Sequence, residues 1–327
     1  MLIPVLLFAL GLVLLIKGGD WFVDGATGLA HRFHIPELLI GATVVSIGTT
    51  LPEVMVSATS AVAGHGEIAY GNAIGSIICN TSLIAALTIA IKPAKIQRRP
   101  MIVPIIFFFG AAAVYSTVAY VSGFFSRLIG LVLLAIFGVY MGISVYSACK
   151  KPAHGEVSVQ DEEASAAPSR FGIWKELFFL ALGAALIAVG ADLLVDNGII
   201  IAQKMGVPEA VIALTFVALG TSLPELVTAI TSLAKGHGAL SLGNIIGANL
   251  FNLVLVSGVS TVLSPFSIPA GKEIAGINSS LVIDIPVMFA VMGLMTVPAL
   301  IRGKLSRWQG ILLLAIYTAF CVVQFTL

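Results

Sequence analysis

Gly48-Thr49-Thr50-Leu51-Pro52-Glu53 and Gly220-Thr221-Ser222-Leu223-Pro224-Glu225 are nearly one phrase written twice, 172 residues apart. Each copy lies in an apolar stretch long enough to cross a bilayer, where a carboxylate costs about 3 kcal/mol unless it has a partner. The proline of each phrase lacks a backbone N–H and its ring crowds the carbonyl four residues back, at Gly48 or Gly220. The phrase therefore predicts a kinked or unwound helix with free carbonyl oxygens. Hydroxyls at Thr49, Thr50, Thr221 and Ser222 stand within one turn of the acids. Hydroxyl, carbonyl and carboxylate together form the all-oxygen ligand set that hard cations such as calcium and sodium prefer.

Around these phrases the chain is 58% hydrophobic and only 10% charged over 327 residues, with a mean hydropathy of +1.07, which excludes an ordinary soluble protein. It reads as an all-α, polytopic membrane protein in contact with lipid. Apolar windows predict ten spanning helices near 2–19, 37–63, 68–91, 101–120, 125–148, 173–191, 209–234, 239–263, 281–300 and 308–326. The first and sixth can continue into the amphipathic stretches 20–30 and 192–203. A net charge of +1 leaves no basic stripe for nucleic acid. Cys79, Cys149 and Cys321 have neither metal-ligand spacing nor an even count, so no zinc site or disulfide framework is expected. No nucleophile and base constellation or cofactor motif points to an enzyme. The opening segment, without a basic n-region, reads as a retained helix and not a signal peptide.

With the amino terminus outside, fourteen Lys and Arg fall on cytoplasmic connections and only Arg127, Lys204 and Lys272 on outer ones. That bias sets both termini outside. The polar segment 149–172 reads as a cytoplasmic linker between a first five-helix repeat, 1–148, and a second, 173–327. Aligning 36–83 with 208–255 without a gap gives 21 identities in 48 positions, selectively at polar and breaker residues such as Gly64-His65-Gly66/Gly236-His237-Gly238. Five helices is an odd number, so the second repeat enters from the opposite side. The repeat is inverted, as in many secondary transporters with a midplane site.

Helical spacing puts Ser46, Thr50, Glu53, Ser57 and Ser60 on one face of the second helix, and Asn72, Ser76 and Asn80 on one face of the third. The matching stripes are Ser222, Glu225 and Ser232 on the seventh, with Asn244 and Asn252 on the eighth. Polar faces turn from lipid toward one another, so these four helices should enclose one site. Its two acids, Glu53 and Glu225, balance one divalent cation or stabilise several monovalent ones. The bland reading, carboxyls tying helices together by hydrogen bonds, makes duplicated acids beside duplicated hydroxyls expensive glue. Asp20, Asp24, Asp192 and Asp196 read more simply as helix-end carboxylates than as ion entrances. His65 and His237 read as solvated turn residues, and Glu37 and Glu209 as first-turn acids favoured by the helix dipole.

The two phrases, each followed by Gly-Asn-x-Ile-Gly (Gly71–Gly75 and Gly243–Gly247), resemble the sodium/calcium exchanger family of the cation/calcium antiporter superfamily, in its short prokaryotic form. The resemblance implies ten helices in two inverted repeats and a secondary antiporter of the cell membrane that exchanges Ca2+ for Na+. It places ion ligands at Thr49, Thr50, Glu53, Ser76 and Asn80, at Thr221, Ser222, Glu225 and Asn252, and at the backbone carbonyls of Ser46 and Ala218. Asn252 stands where potassium-dependent members carry an Asp, which argues against K+ co-transport, and Ser76 is matched by Ala248. Helices one and six are implied as the moving pair. No cofactor is implied; calcium and sodium are transported ions. An H+/Ca2+ or other divalent antiporter of the same fold, and less so a passive cation channel, are the rival readings.

Overall fold

A computed structural model of the chain describes residues 2–93, 95–149, 170–205, 220–269, 273–274 and 276–326. Nine of the described helices are long and apolar enough to cross a membrane. They are α1 (Leu2–Phe33), α2 (Glu37–Val62), α3 (Gly66–Ile91), α4 (Arg98–Val121), α5 (Arg127–Cys149), α6 (Arg170–Lys204), α8 (Gly238–Leu263), α9 (Ser280–Arg302) and α10 (Arg307–Thr326). The described part of α7 is Leu223–Ala234. The earlier part of its predicted span, through Leu219, lies outside the described residues, as do positions 150–169 of the expected linker, whose flanks belong to α5 and α6.

Helices α1 and α6 are both much longer than their apolar cores, and in α1 the polar residues beyond position 19 find partners on other helices. Lys235, at the end of α7, donates to Asp24 at 2.7 Å and stands 3.6 Å from Asp20. Arg32 clasps Glu176 of α6 with two hydrogen bonds of 2.8 and 3.1 Å. The all-helical expectation also gains a small addition. Two-residue strands β1 (Phe124–Phe125) and β2 (Phe266–Ser267) pair antiparallel between the loops after α4 and α8, and β3 (Glu273–Ile274) pairs with β4 (Ile277–Asn278).

The inverted relation of the halves is visible where α1 and α6 cross. A Cβ on Gly11 would lie 2.8 Å from the Gly190 carbonyl, and one on Gly18 would lie 2.9 Å from the Gly183 carbonyl. As one number rises the other falls, so the helices are antiparallel. Adding 172 to 11 and 18 gives 183 and 190, so the two contacts exchange under the repeat, as a two-fold axis in the membrane plane requires. The Gly-His-Gly turns agree as well. Gly64 and Gly236 take φ of 90° and 89°, and the next N–H bonds back five residues, His65 to Ser60 at 2.8 Å and His237 to Ser232 at 2.7 Å. Only glycine adopts that left-handed cap without strain.

Buried residues make up 72% of the apolar window of α3 and 83% of that of α8, against 22% for α1 and for α6, so the former are central and the latter peripheral. The apolar contacts divide the same way. A large cluster joins α2–α5 with α7–α10, through residues such as Tyr70, Phe108, Phe251 and Met292. A smaller one, built on Leu15, Phe22, Val23, Ala26 and Ile187, joins α1 and α6 to one another and to the edges of α2, α7 and α8. The pair α1–α6 is thus a layer of its own laid over an eight-helix core.

Candidate cation site between the repeats

The two phrases lie in different local geometry. In the first, α-helix runs unbroken from Ser46 through Pro52 to Val62, and the departure from α geometry falls one turn earlier, in a widened π turn at Gly41–Val45. The expected break at Gly48 is therefore displaced upstream. In the second, Gly220 leads into a turn at Thr221–Ser222, and Pro224 sits in the first turn of α7, where its missing N–H has no helical partner to lose. Here the expected interruption is present. Two further π turns, Asn80–Ala85 in α3 and Asn252–Val256 in α8, start at equivalent asparagines. Extra-wide turns of this kind recur at functional sites.

Glu53 and Glu225 have no exposed surface, and the helices that carry them, α2 and α7, touch across the boundary between the repeats. Helix α2 packs on the π turn begun by Asn252, and α7 on the one begun by Asn80. Thr50, Asn80 and Asn252 are fully buried, Ser222 nearly so, and Ser76 and Thr49 buried. Among these, Thr50 Oγ1, Ser222 Oγ, both oxygens of Glu53 and of Glu225, and the amide groups of Asn80 and Asn252 have no hydrogen-bond partner among the described residues. A buried polar group without a partner costs about 1–3 kcal/mol, and more when charged. The unpartnered groups form three pairs related by the 172-residue repeat: 50 with 222, 53 with 225, and 80 with 252.

That donor set fits a hard cation. It offers eight neutral or anionic side-chain oxygens, within the six to eight that calcium takes, and no nitrogen or sulfur ligand is needed. Two carboxylates at close range repel unless positive charge lies between them. The arrangement can thus hold one divalent ion, or several monovalent ions sharing the same acids.

The remaining sequence candidates divide. Ser46 is fully buried, but its hydroxyl is engaged with the carbonyls of Gly41 (2.7 Å) and Asn244 (3.0 Å), which leaves its backbone oxygen as the candidate. Thr221 is partly exposed and directed to Asn72. Ala218 lies outside the described residues. Ser57 and Ser232 are wholly buried, whereas Ser60 is only half-buried, so the stripe on α2 fades toward the helix end. His237 is not a solvated turn residue: its Nδ1 is 2.8 Å from Glu37 Oε1, and that hydrogen bond raises its pKa above the ordinary value. His65, its equivalent, is exposed.

Sequence spacing put Asn72 and Asn244 on polar stripes and missed only the bonds by which they join the halves across the site. Thr49 donates to Asn244 Oδ1 at 3.2 Å, and Thr221 to Asn72 Oδ1 at 3.4 Å. The duplicated Gly-Asn pairs were a signal for the two amides, but not for their partners. Above this layer, Phe22 of α1 and Ala184, Ile187 and Ala188 of α6 meet Gly48, Thr49, Pro52 and Pro224 around a void of about 10 Å³. The outer pair of helices therefore covers both phrases at once, leaving room for no more than about one water.

Residues 3–146 and 175–326 match the family described as "Sodium/calcium exchanger protein". The chain is 34% identical to a putative antiporter, CaxA, of Alkalimonas amylolytica over all of both chains. It is 29% identical to the sodium/calcium exchanger MaX1 of Methanosarcina acetivorans over 98% of each. Its fold matches a solved structure of the sodium-calcium exchanger NCX_Mj, soaked with zero Na+ and Ca2+, with TM-score 0.83 and 30% identity over 99% of each chain. A bilayer-spanning helical core, paired buried acids and matches along nearly its whole length make this chain a member of the sodium/calcium exchanger family of short prokaryotic type, a cation/calcium antiporter and not an enzyme.

Proposed function

We propose that the protein exchanges Ca2+ for Na+ by alternating access, moving calcium out of the cell as sodium enters. The observation that carries this reading is the set of three repeat-related pairs of buried, unpartnered oxygen groups at Thr50/Ser222, Glu53/Glu225 and Asn80/Asn252. One Ca2+ neutralises both glutamates. Sodium ions distributed over the same acids and flanking ligands do so equally. The two loads compete because they use the same charge, and that competition is what couples their movements. The full ligand set comprises Thr49, Thr50, Glu53, Ser76 and Asn80, Thr221, Ser222, Glu225 and Asn252, and the carbonyls of Ser46 and Ala218. With Asn252 in place of an acid, potassium is not carried.

The moving element is α1 with α6. Their separate apolar cluster, glycine-mediated contact and position over Gly48 and Pro224 suit a layer that slides across the core and uncovers the site on one side at a time. The chain lies in the cell membrane with both termini outside, 149–172 in the cytoplasm, and 1–148 and 173–327 as the two repeats.

The test is uptake of isotopic calcium into vesicles reconstituted with the purified protein, under imposed gradients of sodium, potassium and protons in turn. Uptake should follow an outward sodium gradient, and Glu53→Gln or Glu225→Gln should lower it at least 100-fold. Uptake driven by a pH gradient that sodium cannot replace would establish proton coupling instead. Flux with no coupling at all would make the protein a channel.

A further inference from the structure

A hydroxyl can serve a cation only if its proton points elsewhere. Its one O–H and its lone pairs occupy different directions, and a positive ion repels the hydrogen. At Thr49 and Thr221 the proton already has a destination. Thr49 Oγ1 donates to Asn244 Oδ1 at 3.2 Å, nearer than its other acceptor, the Ser46 carbonyl at 3.5 Å, and Thr221 Oγ1 donates to Asn72 Oδ1 at 3.4 Å. The repeat exchanges these two bonds, since 49 and 72 become 221 and 244. Each runs from one half of the chain to the other. The acceptors are amide oxygens, which accept a hydrogen bond without adding charge to a site that already holds two carboxylates.

The two acceptors are not held alike. Asn72 Nδ2 donates to Ser57 Oγ at 2.8 Å and lies 3.5 Å from the Glu53 carbonyl, so its amide plane is fixed from both ends. Asn244 is fully buried, yet its Nδ2 has no partner among the described residues. The residue equivalent to Ser57 is Ala229, which offers no acceptor. One orienting amide is anchored and the other is not.

Building on the exchange reading above, we infer that Asn72 and Asn244 are positioning residues that aim the lone pairs of Thr221 and Thr49 at the transported ions. Ser57 stiffens the first of these relays and Ala229 leaves the second loose. Partners of this kind, one step removed from a metal, change ion affinity by about 10–100-fold when lost.

The experiment is a set of double-mutant cycles read on calcium binding, as the calcium-dependent rise in melting temperature of detergent-purified protein, and on the half-saturating calcium concentration for uptake. Asn72→Ala and Asn244→Ala should each weaken calcium about tenfold with maximal uptake nearly unchanged. In the matched pairs, Asn72→Ala with Thr221→Val and Asn244→Ala with Thr49→Val, the double variant should be no weaker than the worse single one, because both changes remove the same bond. In the crossed pairs, Asn72→Ala with Thr49→Val and Asn244→Ala with Thr221→Val, the losses should multiply. Ser57→Ala should weaken calcium severalfold in the parent and not at all in Thr221→Val, and Ala229→Ser should tighten it only while Thr49 is present. Losses that multiply in the matched pairs, or coupling equal in matched and crossed pairs, would overturn the assignment. Failure of the sodium-coupling reading shows separately, in wild-type uptake, and leaves the calcium-binding cycles readable.

Discussion

The segments Gly48–Glu53 and Gly220–Glu225 differ in a single side chain, Thr50 against Ser222, yet the backbone treats them differently. The first proline sits inside a helix that continues for ten more residues, whereas the second stands at the beginning of one. Both arrangements still deliver a fully buried glutamate to the middle of the protein. The comparison teaches that the phrase specifies which groups reach the site, while neighbouring turns specify how the chain gets them there. In the first half the π turn at Gly41–Val45 lies against α8, where a Cβ on Gly41 would come within 2.4 Å of the Leu240 carbonyl. Close contact between the repeats is therefore made at the same point where the helix widens.

The sharpest way to break the comparison is to replace the two prolines in parallel. Pro52→Ala restores an N–H in a helix interior and removes the clash with Gly48, a change in helix energetics of up to about 3 kcal/mol. It should raise the melting temperature and lower sodium-driven calcium uptake at least tenfold. Pro224→Ala, at a helix start, should change both by less than half as much. Equal effects in the two assays would mean that the halves use their prolines alike.

A second contrast lies at the two ends of the α1–α6 pair. Lys235 ties Asp20 and Asp24 of α1 to the end of α7. At the equivalent place in the other half stand Asp192 and Asp196, which no basic side chain meets among the described residues, with Ala63 in the position of Lys235. Partly exposed ion pairs are worth about 1 kcal/mol or less. Lys235→Ala should therefore shift the half-saturating calcium concentration on that face by no more than about fivefold. Ala63→Lys, supplying the missing partner, should shift it in the opposite direction. Measuring both in oriented vesicles compares the two ends directly.

The smallest expected effect is on pH. The Glu37 hydrogen bond raises the pKa of His237, with burial and Lys235 opposing it and Asp24 assisting; His31 stands 4.0 Å from the same carboxylate. A histidine with a raised folded pKa stabilises fully below its unfolded value of about 6.5 and loses that contribution as pH rises through the folded value. Melting temperature should thus fall slightly across that window, by the equivalent of about 0.5 kcal/mol, and the step should vanish in Glu37→Gln. His65→Gln, its exposed equivalent, should leave the step intact.

Much of the site was legible in advance because its cost is local. A glutamate in an apolar stretch is conspicuous wherever the chain folds, and the offset of 172 exposes its twin. Asn72 and Asn244 were visible on polar stripes, but nothing in the stripes said that each would accept from the threonine of the other repeat. His237 and Glu37 read as independent turn and first-turn residues because their meeting spans 200 positions. The same holds for Asp24, whose partner Lys235 lies 211 residues away.

Sequence alone determined the membrane class, the position of most spans, the doubling of the chain and the two acids, since each follows from the cost of transferring particular side chains into lipid and from a fixed repeat. Only the tertiary structure decided where the helices widen, how far α1 and α6 extend past their apolar cores, and which hydroxyl faces which amide. Those features depend on contacts between segments 144 to 211 residues apart, whose geometry is set by how whole helices pack and not by any local pattern.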